Sequence, residues 1–278
     1  MTSTVTDGAL HFVHLADSHV ASGDTRGVDL VRLEGVVERL RDLHARGVPI
    51  DFVVHGGDLV DDADEPDARP DTTAAALGVL DALPVRWFLL NGNHDRRAFL
   101  TAESVDAAGT RPSGLGEVPT TDATGVAARL AGAAQLLFVD ANPERGERAQ
   151  LEGVIPLDAI ASVARRIDAH SGRSLVFLHY PPLRQEAAWS GAPSGGEALH
   201  AVLAARSDRL HGVFVAHNHR SLHHVRDGVL YATAPALSRS LLLWPDQATL
   251  AFDDEPVLGL HYVTLGADGS TRVQHHAF

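Results

Sequence analysis

Short apolar runs alternate with amphipathic segments along most of this chain. HFVHLAD (His11 to Asp17), IDFVVH (Ile50 to His55), VRWFLL (Val85 to Leu90), QLLFVDA (Gln135 to Ala141), SLVFLHY (Ser174 to Tyr180) and HGVFVAH (His211 to His217) each read as a buried strand. Between them the period lengthens. Leu30, Leu33, Val37 and Leu40 recur at helical spacing, so a helix is expected over Val28 to Arg46, with Gly47 as its C-cap. Further helices are expected over Thr72 to Leu83, Leu157 to Ala169 and Glu197 to Arg206. From Thr101 to Gly132 the pattern fades into Gly, Pro, Thr and Ala, which predicts a loop-rich insertion. Near the end, HHVRDGVLYAT and GLHYVTLGADGSTRVQHH read as hairpins turning at Asp227-Gly228 and Asp268-Gly269. This order predicts one α/β domain over residues 1–278, with an antiparallel hairpin portion at about 220–278.

Composition narrows the chemistry. The 278 residues hold no cysteine, which excludes disulfides and thiolate metal sites and fits a reducing, cytoplasmic setting. The net charge of −13 argues against a broad nucleic-acid footprint. No apolar run approaches the roughly 20 residues that span a bilayer, and MTSTVTDGALHF lacks the parts of a secretory signal.

The predicted strands end in polar clusters. These are ADSH with Asp17 and His19, HGGDLVD with Asp58 and Asp61, NGNHD with Asn93, His94 and Asp95, LHYPP with His179, and AHNHR with His217 and His219. Ligand sites of α/β proteins gather beyond the carboxyl ends of strands, so five clusters would converge on one place. Taken singly, a strand-end Asp or His is ordinarily a cap or a solvated loop residue. Together, two aspartates, an asparagine and four imidazoles form a hard-to-borderline donor set that suits Mn, Fe or Zn. Seven ligands are too many for one such ion and fit two, with a bridging carboxylate. Two-metal sites hold their ions about 3.5–4 Å apart and generate a hydroxide nucleophile at neutral pH. Gly56, Gly57 and Gly92 are expected to let the backbone turn sharply beside these ligands. His217 and His219, two apart on an extended chain, are expected to point to one side, with Asn218 facing away.

In this order the clusters resemble the calcineurin-like metallophosphoesterase superfamily, whose pattern is D-x-H, GD, GNH(D/E), H and GHxH. All five blocks lie between Asp17 and His219. ADSH, GGDLVD, GNHD and HYPP are most similar to the bacterial class III cyclic nucleotide phosphodiesterases and related glycerophosphodiesterases. The resemblance implies a four-layer α-β-β-α sandwich of mixed sheets flanked by helices, with two metal ions per chain. It implies that Asp17, His19 and His219 bind the first ion, that Asp58 bridges, and that Asn93, His179 and His217 bind the second. It also implies that Asn93 and His94 meet the substrate phosphate and that His94 protonates the leaving alkoxide. Asp61 falls where a carboxylate orients that histidine in phosphoprotein phosphatases. The expected reaction is hydrolysis of small phosphodiesters, above all 3′,5′-cyclic nucleotides, by a metal-bridging hydroxide. Glycerophosphodiesterase or broad phosphatase activity is the alternative. The implied partner is the small substrate; a homodimer is compatible, and membrane and nucleic acid are not expected.

Departures exclude some relatives. Purple acid phosphatases need GDxxY, and here Asp61 takes the tyrosine position. Phosphoprotein phosphatases need GDxxDRG and RGNHE, and here Asp62-Ala63 follow Asp61 and Asn91 precedes Gly92. Ala216 replaces the Gly before the H-x-H pair, where a methyl is expected to shift the loop. A nuclease fits poorly with the acidic charge, and a non-catalytic scaffold fits poorly with a full ligand set. Arg96 and Arg97 are candidate anion contacts, and the 101–132 and 185–196 loops candidate specificity elements. His14 and His55 read as core, and His223 or His224 as a pocket candidate.

Overall fold

The computed structural model describes residues 8–21, 28–61, 70–95, 115–141, 153–185, 187 and 190–278. Arg96, Arg97 and most of the expected insertion lie outside these. In the first sheet, β1 (Leu10–Leu15), β2 (Phe52–His55) and β3 (Arg86–Leu89) run parallel, and β4 (Gly116–Glu117) lies beyond β3. The second sheet contains β5 (Val126–Ala131), β6 (Ala134–Val139), β7 (Ser174–Phe177) and β8 (Leu210–Val215), then β10 (Val229–Thr233) and, outermost, β9 (Leu222–Arg226). β11 (Gly259–Leu265) and β12 (Thr271–Ala277) return to the first sheet, where β11 pairs antiparallel with β1. The two C-terminal hairpins therefore extend different sheets.

Side-chain alternation builds the layers. Phe12 of β1 faces the other sheet, whereas Val13 and Leu15 face the helices α1 (Val28–Ala45) and α2 (Pro70–Leu80). In the second sheet Phe177 and Phe214 point inward, while Val176, Val213 and Val215 meet α3 (Leu157–Ala169) and α4 (Gly196–Ala204). Strands buried on both faces need continuous apolar runs, which explains the sequence pattern. Phe12, Phe52, Phe88, Phe138, Phe177 and Phe214 fill the space between the sheets, with ring centroids 4.9–6.0 Å apart. Each such ring contributes roughly 1.5–3 kcal/mol by burial. The result is the expected α-β-β-α sandwich.

Several differences have local causes. β1 and β8 end two residues before their expected limits, because the backbone turns left-handed at Asp17 and His217, while β2 ends at His55 as expected, ahead of a similar turn at Asp58. β4 and β5 replace part of the expected loop; VAARLA has too few large side chains to signal a strand, yet it pairs along its length with β6. Gly47 has φ +85° and closes α1 as anticipated. Asp227 and Gly228 have φ 50° and 76°, the twist a two-residue hairpin requires. None of the described helices is long and apolar enough to cross a membrane.

Candidate metal centre

Beyond β1 and β2 the chain continues as two adjacent loops. Asp17 N–H donates to Gly57 O, His19 N–H to Asp58 O and Val20 N–H to Leu59 O, each at 3.0 Å. Asp58 and Asp95 knit these loops to the one after β3. Asp58 Oδ1 accepts from His94 N at 2.8 Å, while Asp95 accepts from the N–H groups of Leu59, Val60 and Gly92 at 2.8–3.1 Å. Gly57 and Gly92 sit back to back. A Cβ on Gly57 would lie 2.6 Å from Gly92 N, so of the three glycines Gly57 (φ +105°) supplies the turn and Gly92 supplies space.

The seven predicted ligands come together, in two groups that share Asp58. Ligand atoms of Asp17, His19, Asp58 and His219 lie within 4.8 Å of one another, as do those of Asp58, His179 and His217. Asn93 Oδ1 joins the second group, 3.1 Å from His179 Nε2 and 2.9 Å from His217 Nδ1. Asp17, His19, Asp58, His179 and His219 are buried.

The outer nitrogens of three imidazoles are held by oxygens. His19 Nδ1 meets Asp61 Oδ1 at 3.0 Å, His179 Nδ1 meets Gly56 O at 2.9 Å and His219 Nδ1 meets Arg239 O at 3.0 Å. These acceptors require N–H on the outer nitrogen and turn the Nε2 lone pair inward, as metal-ligating histidines need. His19 Nε2 and His219 Nε2 then face each other at 3.0 Å, two lone pairs that a cation between them would satisfy. Both carboxylate oxygens of Asp17 are buried with no hydrogen-bond partner. A buried carboxylate is costly unless paired or coordinated, so the donor set fits a cation pair.

Electrostatics separate the carboxylates. Burial pushes Asp17 well above the usual carboxylate range. Burial also acts on Asp58, but the His179 and His19 imidazoles outweigh it and hold that carboxyl well below the range. Asp61 is likewise held low, since His19 and His94 overcome its partial burial.

Backbone strain is concentrated here. Among the described residues, six non-glycines have positive φ, and five are Asp17, His19, Asp58, His217 and His219 at 43–71°. The extended-chain expectation for His217 and His219 is thus corrected, because left-handed kinks after β8 aim them. Asn218 does face away, donating to Gln185 Oε1 at 2.6 Å and Ser190 Oγ at 3.2 Å. Ala216 is accommodated among small neighbours. Its φ is not positive, and it packs with Ala16 and Ala234, opposite the bare Cα of Gly56. His55 Nε2 braces Ser18 Oγ at 2.8 Å, and His14 is buried in the core. His223 packs on His261 and His224 on Tyr231.

At the mouth, His94 Nδ1 lies 2.9 Å from Asp61 Oδ1, so one carboxylate grips both His19 and His94. That double grip and the role of Asp95 are not legible from spacing. Asp95→Asn keeps one acceptor but sets an NH2 against an N–H. Metal affinity should fall about 10- to 100-fold with the fold retained, as metal titration and circular dichroism would register.

Residues 10–221 match the family model described as calcineurin-like phosphoesterase, and the chain belongs to that family of metal-dependent phosphoric ester hydrolases. The fold is similar to that of a dimetal phosphatase from Danio rerio, at 16% identity and TM-score 0.64, covering 95% of this chain and 98% of that one. It is also similar to a purple acid phosphatase from yellow lupin seeds, at 13% identity and TM-score 0.65, covering 98% of this chain and 52% of that one. A third similar structure is GAP50 of Plasmodium, an anchor in the inner membrane complex, at 12% identity and TM-score 0.60, covering 97% and 84%. No curated protein matches the chain.

Proposed function

We propose that this phosphoesterase is a dimetal phosphodiesterase acting on small phosphodiesters, 3′,5′-cyclic nucleotides foremost. The observation that carries the reading is the Asp61–His94 pair at the open edge of the seven-ligand cradle. The blocks ADSH, GGDLVD, GNHD and HYPP support the diesterase assignment over a protein phosphatase. Asp17, His19 and His219 would hold one ion, Asn93, His179 and His217 the other, and Asp58 both. When bound, the ions supply Lewis acidity toward phosphate oxygens and activate water.

The chain's own residues do the rest. Asn93 and His94 hold the phosphate at the mouth. Asp61 accepts from Nδ1 of His94 and orients the ring, leaving Nε2 to pass a proton to the departing alkoxide. His94→Gln should lower kcat about 10²- to 10⁴-fold for alkoxide leaving groups and less for p-nitrophenolate, with metal content unchanged. Equal losses for both leaving groups would remove the acid role.

A panel on the Mn-loaded protein tests the reading: cyclic AMP, bis-p-nitrophenyl phosphate, a glycerophosphodiester, a phosphomonoester and single-stranded DNA. Turnover confined to the monoester, or none, defeats it.

A further inference from the structure

Arg239 stands beside the mouth of the metal centre with most of its hydrogen-bonding capacity unused. Its Nη2 lies 3.7 Å from Asp61 Oδ1, longer than a hydrogen bond. That oxygen is already engaged by His19 and His94 at 3.0 and 2.9 Å. Nη2 is also 3.5 Å from His19 Nδ1, but that nitrogen carries the proton donated to Asp61 and cannot accept another. Arg239 Nε is buried without a partner among the described residues. The side chain is 40% exposed, so its head borders the open side. Neighbouring cations differ: Arg220 is paired with Asp253 at 2.7 Å, and Arg32 is bound to Asp29 and Ser238 O.

The guanidinium is also held in place. Its carbon sits 5.0 Å over the Phe252 ring, a cation–π contact that holds the guanidinium against that ring. Phe252 bridges Leu241, and Asp253 N–H donates to Ser240 O at 2.9 Å. The Arg239 carbonyl accepts from His219, tying this segment to a proposed ligand. A preorganised fork loses little freedom on binding, and its geometry matches phosphate oxygens. In a chain of net charge −13, an anionic ester otherwise meets repulsion.

We infer that Arg239 binds a non-bridging oxygen of the substrate phosphate and that Phe252 positions it; this rests on the phosphoester-hydrolase reading of the same centre. The substrate-binding edge then includes residues 239–252, in addition to the loops the sequence suggested.

Calorimetry of inorganic phosphate with the Mn-loaded protein tests this, beside kinetics with bis-p-nitrophenyl phosphate. Arg239→Ala should weaken phosphate binding and raise KM about 10- to 100-fold, with Mn content equal to wild type. Added guanidinium should restore part of the loss, and Arg239→Lys should fall between. Phe252→Leu should raise KM about 2- to 10-fold with kcat held, and Phe252→Tyr should behave as wild type. Unchanged phosphate affinity in Arg239→Ala overturns the inference, as does wild-type protein that binds no phosphate. Loss of Mn together with phosphate also overturns it, making the arginine a brace for Asp61 and His19. If wild type binds phosphate but hydrolyses no ester, calorimetry still decides the role of Arg239 and the failure falls on the hydrolase reading.

Discussion

Gly92→Ala should abolish metal binding and turnover although no ligand is changed. A Cβ at that position would lie 2.0 Å from Asp58 Oδ1 and 2.4 Å from Asp58 N. Neither atom can retreat. Asp58 Oδ1 is held by His94 N–H, and the loop carrying Gly92 is fastened by Asp95. The methyl must therefore displace the one carboxylate that belongs to both ligand groups. Loss of a supporting contact at a metal site typically costs 10- to 100-fold; displacement of the shared ligand should exceed that, to at least about 100-fold in kcat/KM. Overpacking should also take roughly 1–3 kcal/mol from the metal-free fold. Gly35→Ala is the control. It lies in α1 with open space around the added methyl, so it should stabilise the protein by up to about 1 kcal/mol and leave metal content untouched. Metal analysis of both variants, with chemical denaturation in chelator, checks the pair. Full metal content in Gly92→Ala would mean that Asp58 is not held as described.

The sequence made the candidate ligand set legible because parallel strands buried on both faces must be apolar throughout, so polar residues at their ends stand out. Asp17, Asp58, Asn93, His179 and His219 were visible for that reason. How they are aimed was not visible. An aspartate or histidine at φ near 50° looks like any other in a one-dimensional pattern, and such conformations cost about 1–3 kcal/mol each. They persist because the loops beside them are cross-bonded, through Asp95 above all, and Asp95 in GNHD reads as one more polar residue. Arg239 is hidden for a different reason: it lies 20 residues beyond the last candidate ligand block, and only the return of β11 to the first sheet closes that segment over the site. β5 is not legible because alanines carry no strong period, and the hairpin signals do not say which sheet each joins. Local pattern specifies an element; the partner strand is chosen by burial across the whole sandwich.

His14 and His261 together should withdraw about 5 kcal/mol of stability between pH 6.5 and 4.5. Both are fully buried. His14 has no hydrogen-bond partner at either ring nitrogen and packs edge-on to Phe177 and Phe214, and burial lowers it to about 3. His261 is lowered to about 2, by burial first and then by His14, His223 and His275. In the unfolded chain both titrate near 6.5. Below that pH the unfolded state binds protons that the folded state refuses, so each imidazole costs about 1.4 kcal/mol per pH unit until its folded value is reached. Above pH 6.5 neither contributes a slope. The loss over two pH units is comparable with the whole stability of many domains, about 5–15 kcal/mol. Urea denaturation from pH 7.5 to 4.5, in chelator so that metal release adds nothing, measures it. His14→Leu should reduce the acid slope by about 1.4 kcal/mol per pH unit, whatever it does to stability at pH 7.5. An unchanged slope in that variant would show that His14 takes up its proton in the folded protein, and that the space between the two sheets is wetter than its six phenylalanines imply.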